Sequence, residues 1–194
     1  MKDSTFTPEE SLLLISKTIE ATKDRFKENG HIFIFWGTLT VIVFGSQLIL
    51  SLLKLNEFMM IPVYLFPLSI FYMIYIWLKE KKKNLPKSHI GNMLGNVGWI
   101  FGMNLLIMGF FCTDKLGIAT APVFIIFFAL FIVVCGLAIK FKPLFIAGIL
   151  VNLIGLGTFF IETDYHGFSM ILMAIIGLII PGILLNIARS TNHV

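Results

Sequence analysis

Charge is scarce in this sequence and unevenly placed. Only 13% of its 194 residues are Asp, Glu, Lys or Arg, against 57% hydrophobic, and none occupies the central part of any of six long apolar stretches. Proton pumps, ion-coupled carriers and voltage sensors mark their pathways with such residues, so their lack tells against a proton-coupled mechanism. Cysteine is scarcer still, with Cys112 and Cys135 alone. If successive stretches run antiparallel, these two fall at different depths, too far apart for the short Cα separation of a disulfide, and they read as packing residues. Catalytic patterns are missing as well: there is no paired carboxylate within the apolar stretches, no His-rich metal cluster, no Ser-His or Ser-Lys arrangement at shared depth, and no glycine-rich phosphate loop after a strand. The residues therefore point away from an enzyme and imply neither a catalytic site, a cofactor nor a metal site.

What is present is hydrocarbon-matched length. The stretches lie at about 31–53, 58–78, 89–113, 117–139, 143–161 and 167–188, and ~20 residues at 1.5 Å rise cross a bilayer as a helix. Helices satisfy their backbone polar groups within one segment, which lipid demands. The fold class expected is all-α: a polytopic membrane protein with six transmembrane helices, residues 30–194, preceded by an amphipathic cytoplasmic helix in residues 1–29. The first apolar run follows a polar, charged segment and is too long for a signal-peptide core, so it is expected to stay as an anchor. Loops between stretches are short, apart from the Lys79–Lys87 connection, and no separate extramembrane domain is expected.

The basic residues orient these helices. With the amino terminus placed inside, Lys2, Lys17, Lys23, Arg25, Lys27, Lys79, Lys81, Lys82, Lys83, Lys87, Lys140, Lys142 and Arg189 are internal, 13 of the 15 cations, and only Lys54 and Lys115 are external. That is the bias seen at insertion, so both termini are expected in the cytoplasm. A net charge of +4 distributed in this way fits anionic lipid headgroups at the basic inner loops, at about 1 kcal/mol per cation near the surface, and not nucleic acid.

Thr7-Pro8-Glu9-Glu10 reads as a helix start, with Thr7 capping, Pro8 at the first helical position and Glu10 completing a capping box. The helix is expected to run to about Glu28 and to stop at Asn29-Gly30. Leu12, Ile15, Ile19 and Phe26 share one face, while Lys17, Glu20, Asp24 and Lys27 lie off it. Such a stripe needs cover from the bilayer interface, the cytoplasmic ends of the spans or another protein; the interface is the commonest outcome for a helix beside an anchor.

Within the spans, Pro62, Pro67 and Pro181 are expected to bend their helices, and Pro122 sits close enough to a helix start to be harmless. Gly91, Gly95, Gly98 and Gly102 fall on one stripe of span three, and Gly148, Asn152 and Gly155 on one face of span five. Small residues let backbones approach closely, so both helices are expected to be tightly packed interior ones, although the first stripe serves a homo-oligomer equally well. Asn92, Asn96 and Asn152 form the candidate intramembrane polar site: their carbonyls can coordinate a polar group or an ion, or their amides can hydrogen-bond between helices at about 0.6 kcal/mol each. Glu162, Asp164 and His166 carry metal-ligating groups, but in a spacing that matches no dedicated site, and they read as a solvated loop.

Glu10-Ser11-Leu12, His31 with Trp36-Gly37, Lys87-Ser88-His89-Ile90, Cys135-Gly136 leading to Lys140-Phe141-Lys142-Pro143, and Ile180-Pro181-Gly182 with Leu185-Asn186 together resemble a family of small, uncharacterised bacterial multi-pass membrane proteins over nearly the whole chain. The resemblance implies a bacterial inner membrane and, through an association with small winged-helix regulators as neighbours, a cytoplasmic protein partner. The function expected is a non-enzymatic regulatory or accessory role, with the amino-terminal helix and the basic loop as contact surface. The alternative is a carrier or channel for a neutral or amphipathic solute.

Overall fold

The computed structural model describes residues 7, 9–14, 16, 30–82 and 89–191, with backbone alone at 56, 73, 76, 77, 79–82, 89–92, 94 and 189–191. The described residues form helices and no strand, as the apolar patterning requires. In chain order these are α1 (Gly30–Leu52), α2 (Leu65–Lys82), α3 (His89–Ile107), a short α4 (Thr113–Leu116), α5 (Thr120–Ala138), α6 (Lys142–Thr158), α7 (His166–Ala174) and α8 (Ile180–Thr191). Wider π turns at Met108–Cys112 and Ile175–Ile179 join α3 to α4 and α7 to α8.

Among the described residues, three helical stretches are long and apolar enough to cross a membrane: Gly30–Leu52, Gly95–Ala138 and Thr163–Ala188. Ile61–Tyr72 and Lys142–Thr158 are shorter apolar helices. This is compatible with a membrane protein, but six spans of full length are not supported. The differences have physical sources. Helix α6 has 17 residues, about 25 Å at 1.5 Å per residue, slightly less than the hydrocarbon thickness. Span two begins not as a helix at 58 but as 3-10 turns at Asn56–Phe58 and Ile61–Tyr64, so its α-helix starts only at Leu65. Pro62 lies in the second of those turns and Pro67 is the third residue of α2, where its missing N–H has no helical partner to lose; neither acts as the interior helix breaker expected.

The 44-residue stretch from Gly95 to Ala138 folds back on itself. Gly117 has φ +53°, a conformation L side chains rarely adopt, and ends the short α4. Beyond it the chain returns: Phe101 stacks on Phe131 with centroids 4.4 Å apart and meets Phe128 edge-on at 5.6 Å. Such pairs contribute about 0.5–1.5 kcal/mol each beyond their buried area.

The core lies among α1, α5, α6 and α7–α8. Phe33, Ile132, Cys135, Leu144, Leu178 and Leu185 fill one end; Ile125, Ala129, Val151, Met170 and Met173 fill the other. Helices α5 and α6 form the tightest antiparallel pair. A Cβ on Gly148 would come within 2.9 Å of the Val133 backbone nitrogen, and one on Gly136 within 2.6 Å of that of Phe145. Helix α1 runs antiparallel to α7–α8, with Gly37 against Leu178 and Ile179 and Gly182 against Ile34. Helix α2 packs at the edge through Tyr72 against Phe35, centroids 4.1 Å apart, and the connection before it is tied to α1 by the Gln47 amide, which donates to the Met59 carbonyl at 3.0 Å.

The expectation of two tightly packed interior helices needs correcting. Span five packs only its glycine face, with Gly148 and Gly155 buried against α5 while Ile146, Leu150 and Leu153 are exposed, and span three lacks even that: Gly95 and Gly102 meet nothing within 4 Å, and Gly98 touches only the ring of Phe131. The bulky Phe101 makes the contact that the glycine stripe was expected to make. Gly30 is the first, buried residue of α1, and the end of the amino-terminal helix lies outside the described residues. The capping box is real, with the Thr7 N–H donating to Glu10 Oε2 at 3.0 Å and the Glu10 N–H to Thr7 Oγ1 at 3.3 Å. Most of the amphipathic stripe, including Ile15, Ile19 and Phe26, lies outside the described residues, as does the basic loop at 83–88.

Both α1 and α5 end in the same way. The N–H groups of Lys54 and Leu55 donate to the carbonyls of Ser51 and Leu50, and those of Lys140 and Phe141 to Leu137 and Gly136. These paired bonds close the last helical turn and force the residue after the cap into left-handed geometry, at φ 58° for Lys54 and 53° for Lys140. Glycine is the residue that tolerates this position best. Lys140→Gly should therefore raise stability by about 1 kcal/mol, read as a higher melting temperature in detergent, whereas Lys140→Val should lower it.

Candidate functional site

The helices distribute the polar candidates instead of gathering them. Asn96 is exposed on α3 and Asn152 is half-buried on α6; of Asn92 and Gly91 only the backbone is described. Most hydroxyls and amides with resolved hydrogen bonds within the apolar helices donate to their own helix: Thr40 to the Trp36 carbonyl at 2.8 Å, Ser46 to Ile42 at 2.6 Å, Asn104 to Ile100 at 2.8 Å and Thr158 to Ile154 at 2.7 Å. This back-bonding is how a polar side chain satisfies itself where water is absent. It leaves those hydrogens unavailable to a passing solute.

Two features were missed in the sequence. The first is the crossing of α1 and α8, where Gly30 and Gly182 bring the backbones together: a Cβ on Gly182 would lie 2.9 Å from the Gly30 carbonyl oxygen. Asn186 lies one turn along from Gly182, its Oδ1 pressed against Gly30 and buried without a hydrogen-bond partner. The i, i+4 spacing of Gly182 and Asn186 was the available signal, but the partner face on α1 could not be read from it.

The second is a cavity of about 330 Å³ between the α4–α5 turn and the α6–α7 connection, with Ile118, Thr158, Phe159, Glu162, Thr163 and His166 among its walls. His166 is not part of a solvated loop. A 3-10 turn at Thr163–Tyr165 carries it into the first position of α7, where it is 9% exposed and its Nε2 lies 3.3 Å from the Ile161 carbonyl oxygen. Asp164, on the same connection, is exposed and does not line the cavity. Neither Asn96 nor Asn152 reaches it. Among the described residues no group of three or more His, Cys, Asp or Glu side chains is placed to hold a metal ion, and Cys112 and Cys135 are both free thiols.

Comparison with known proteins returns nothing: no family model, no curated protein and no solved structure matches this chain.

The orphaned Asn186 acceptor gives a direct test of the α1–α8 crossing. An unpaired buried carbonyl costs about 1–3 kcal/mol, so Asn186→Ala should leave the unfolding free energy in mixed micelles unchanged or raise it by about 1 kcal/mol. Asn186→Asp, which adds a charge at the same place, should lower it by about 3 kcal/mol or more. A large loss in the alanine variant would mean that the amide is bonded in the folded protein.

Proposed function

We propose that this chain is a non-enzymatic multi-pass membrane protein with a regulatory or accessory role, whose amino-terminal helix and basic 79–87 loop form its cytoplasmic contact surface. In this reading six segments cross the bilayer, with the short α6 and the late-starting α2 completing the count, and both termini face the cytoplasm. The resemblance to small bacterial multi-pass proteins makes the inner membrane the compartment and a cytoplasmic regulator the partner. Anionic headgroups cover the inner lysines, and the open glycine face of α3 is left to lipid or to a second copy of the chain.

One observation supports this reading over transport: the buried Thr40 hydroxyl of α1 turns back onto the Trp36 carbonyl of its own helix. A solute pathway needs polar groups with free capacity in the bilayer interior, and the buried Thr40, midway along α1, has its hydrogen engaged. The core itself is filled with Ile, Leu, Val, Ala and Met side chains.

Reporters fused after Lys83 and after Asp164 should register opposite compartments, the first inside. Deleting residues 1–28 should abolish association with a cytoplasmic protein while leaving insertion and melting temperature intact. Unchanged co-purification after the deletion would count against the regulatory role, and loss of solute flux in folded Asn92→Ala and Asn96→Ala variants would favour the carrier or channel instead.

A further inference from the structure

We propose that the cavity between the α4–α5 turn and the α6–α7 connection binds a primary ammonium group, presented either by a phospholipid headgroup or by a small soluble amine. The inference follows from which hydrogen-bonding capacities remain open there. The Thr158 hydroxyl, 1% exposed, has given its hydrogen to the Ile154 carbonyl, so its oxygen can only accept. A carbonyl oxygen cannot donate, so the contact of His166 Nε2 with Ile161 places a ring proton on Nε2, and in the neutral ring Nδ1 is then an acceptor. Glu162, exposed at the rim, adds a carboxylate, Thr163 adds a hydroxyl that can accept or donate, and the walls contain no Lys or Arg.

A cavity rich in acceptors and carrying one negative charge selects a cation with N–H donors. A primary ammonium offers three donors on a compact charge, whereas a quaternary ammonium of similar size offers none. The remaining walls, from Ile118, Ala119, Phe159 and Ile161, suit the carbon atoms next to the nitrogen, and about 330 Å³ is at the small end of ligand cavities. Its position at the ends of α5, α6 and α7 is the depth at which lipid headgroups would lie under the topology proposed above, which is the part of the inference that rests on that reading.

The test has two arms, both on the full-length chain. In detergent, calorimetric titration with phenethylammonium should show binding, its N-trimethyl analogue should bind at least tenfold more weakly, and Glu162→Gln should weaken phenethylammonium binding by at least tenfold. Asp164→Asn removes an equal charge from the same connection without touching the cavity and should change binding less than twofold. His166→Gln should weaken it several-fold, with its melting temperature measured alongside; Thr163→Val provides a second cavity variant should the histidine change fold poorly. In the second arm, native mass spectrometry of protein released from mixed nanodiscs should show phosphatidylethanolamine retained over phosphatidylcholine, with the preference lost in Glu162→Gln. Retention of the lipid assigns the source to the headgroup, and binding of the soluble amine alone assigns it to a free ligand; either supports the site. Equal losses in Glu162→Gln and Asp164→Asn, or no discrimination between the primary and quaternary probes in either arm, would overturn it. Because the detergent arm needs no bilayer, its failure is separable from a failure of the topology.

Discussion

The close approach of helix backbones at a few glycines is the constraint on which the rest of this fold depends. In lipid, burying a leucine against another helix gains little over leaving it in hydrocarbon, so association rests on dispersion contacts and on how near two helices can come. Gly136, Gly148 and Gly155 let the α5 backbone and its Val133 and Ile126 side chains close onto α6, while Gly30, Gly37 and Gly182 allow the same approach between α1 and α7–α8. At Gly177 the two pairs meet: a Cβ there would run into Ile132 of α5 at 2.8 Å and Val151 of α6 at 2.9 Å. That residue lies in the π turn that precedes Pro181, so the widened turn both accommodates a residue lacking an N–H and seats the second pair on the first.

The surface follows from this core. Helices α2 and α3 join it through aromatic contacts more than through backbone approach, and their outward faces carry exposed Phe71, Tyr75, Trp99 and Ile100. In water such a surface would aggregate; in a bilayer it is the solvent-facing side. Thr40, Ser46, Ser69, Asn104 and Thr158 each donate to a carbonyl of their own helix. At the ends of α5, α6 and α7, by contrast, connections of only a few residues bring a carboxylate, an imidazole and hydroxyls to one cavity.

Periodicity and charge made the helices legible, because a run of apolar residues bounded by lysines has few other ways to satisfy its backbone. The capping box at Thr7 and Glu10 was legible for the same local reason: its two bonds join residues three apart. Partner choice was not. The stripes on spans three and five look alike on a helical wheel, yet only Gly148 and Gly155 meet another backbone, because Phe101 at the edge of the first stripe holds α3 away from α5. The burial of His166 was hidden too, since it depends on a 3-10 turn that rotates one residue of a polar loop inward while leaving Asp164 outside. Neither the asparagines of α3 nor that of α6 lines this cavity; the chemistry lies at the helix ends, where the reading had placed solvent.

The contrast between the two glycine stripes gives the most direct measurement. Unfolding free energies in bicelles should be compared for Gly148→Val and Gly95→Val, the same change made on the two look-alike helices. Gly148→Val should lose about 1–3 kcal/mol or more from overpacking against Val133 and Ala129, and Gly95→Val should stay within about 0.5 kcal/mol of the parent. Equal losses, or a larger loss at Gly95, would contradict an α5–α6 backbone contact as the foundation of the bundle.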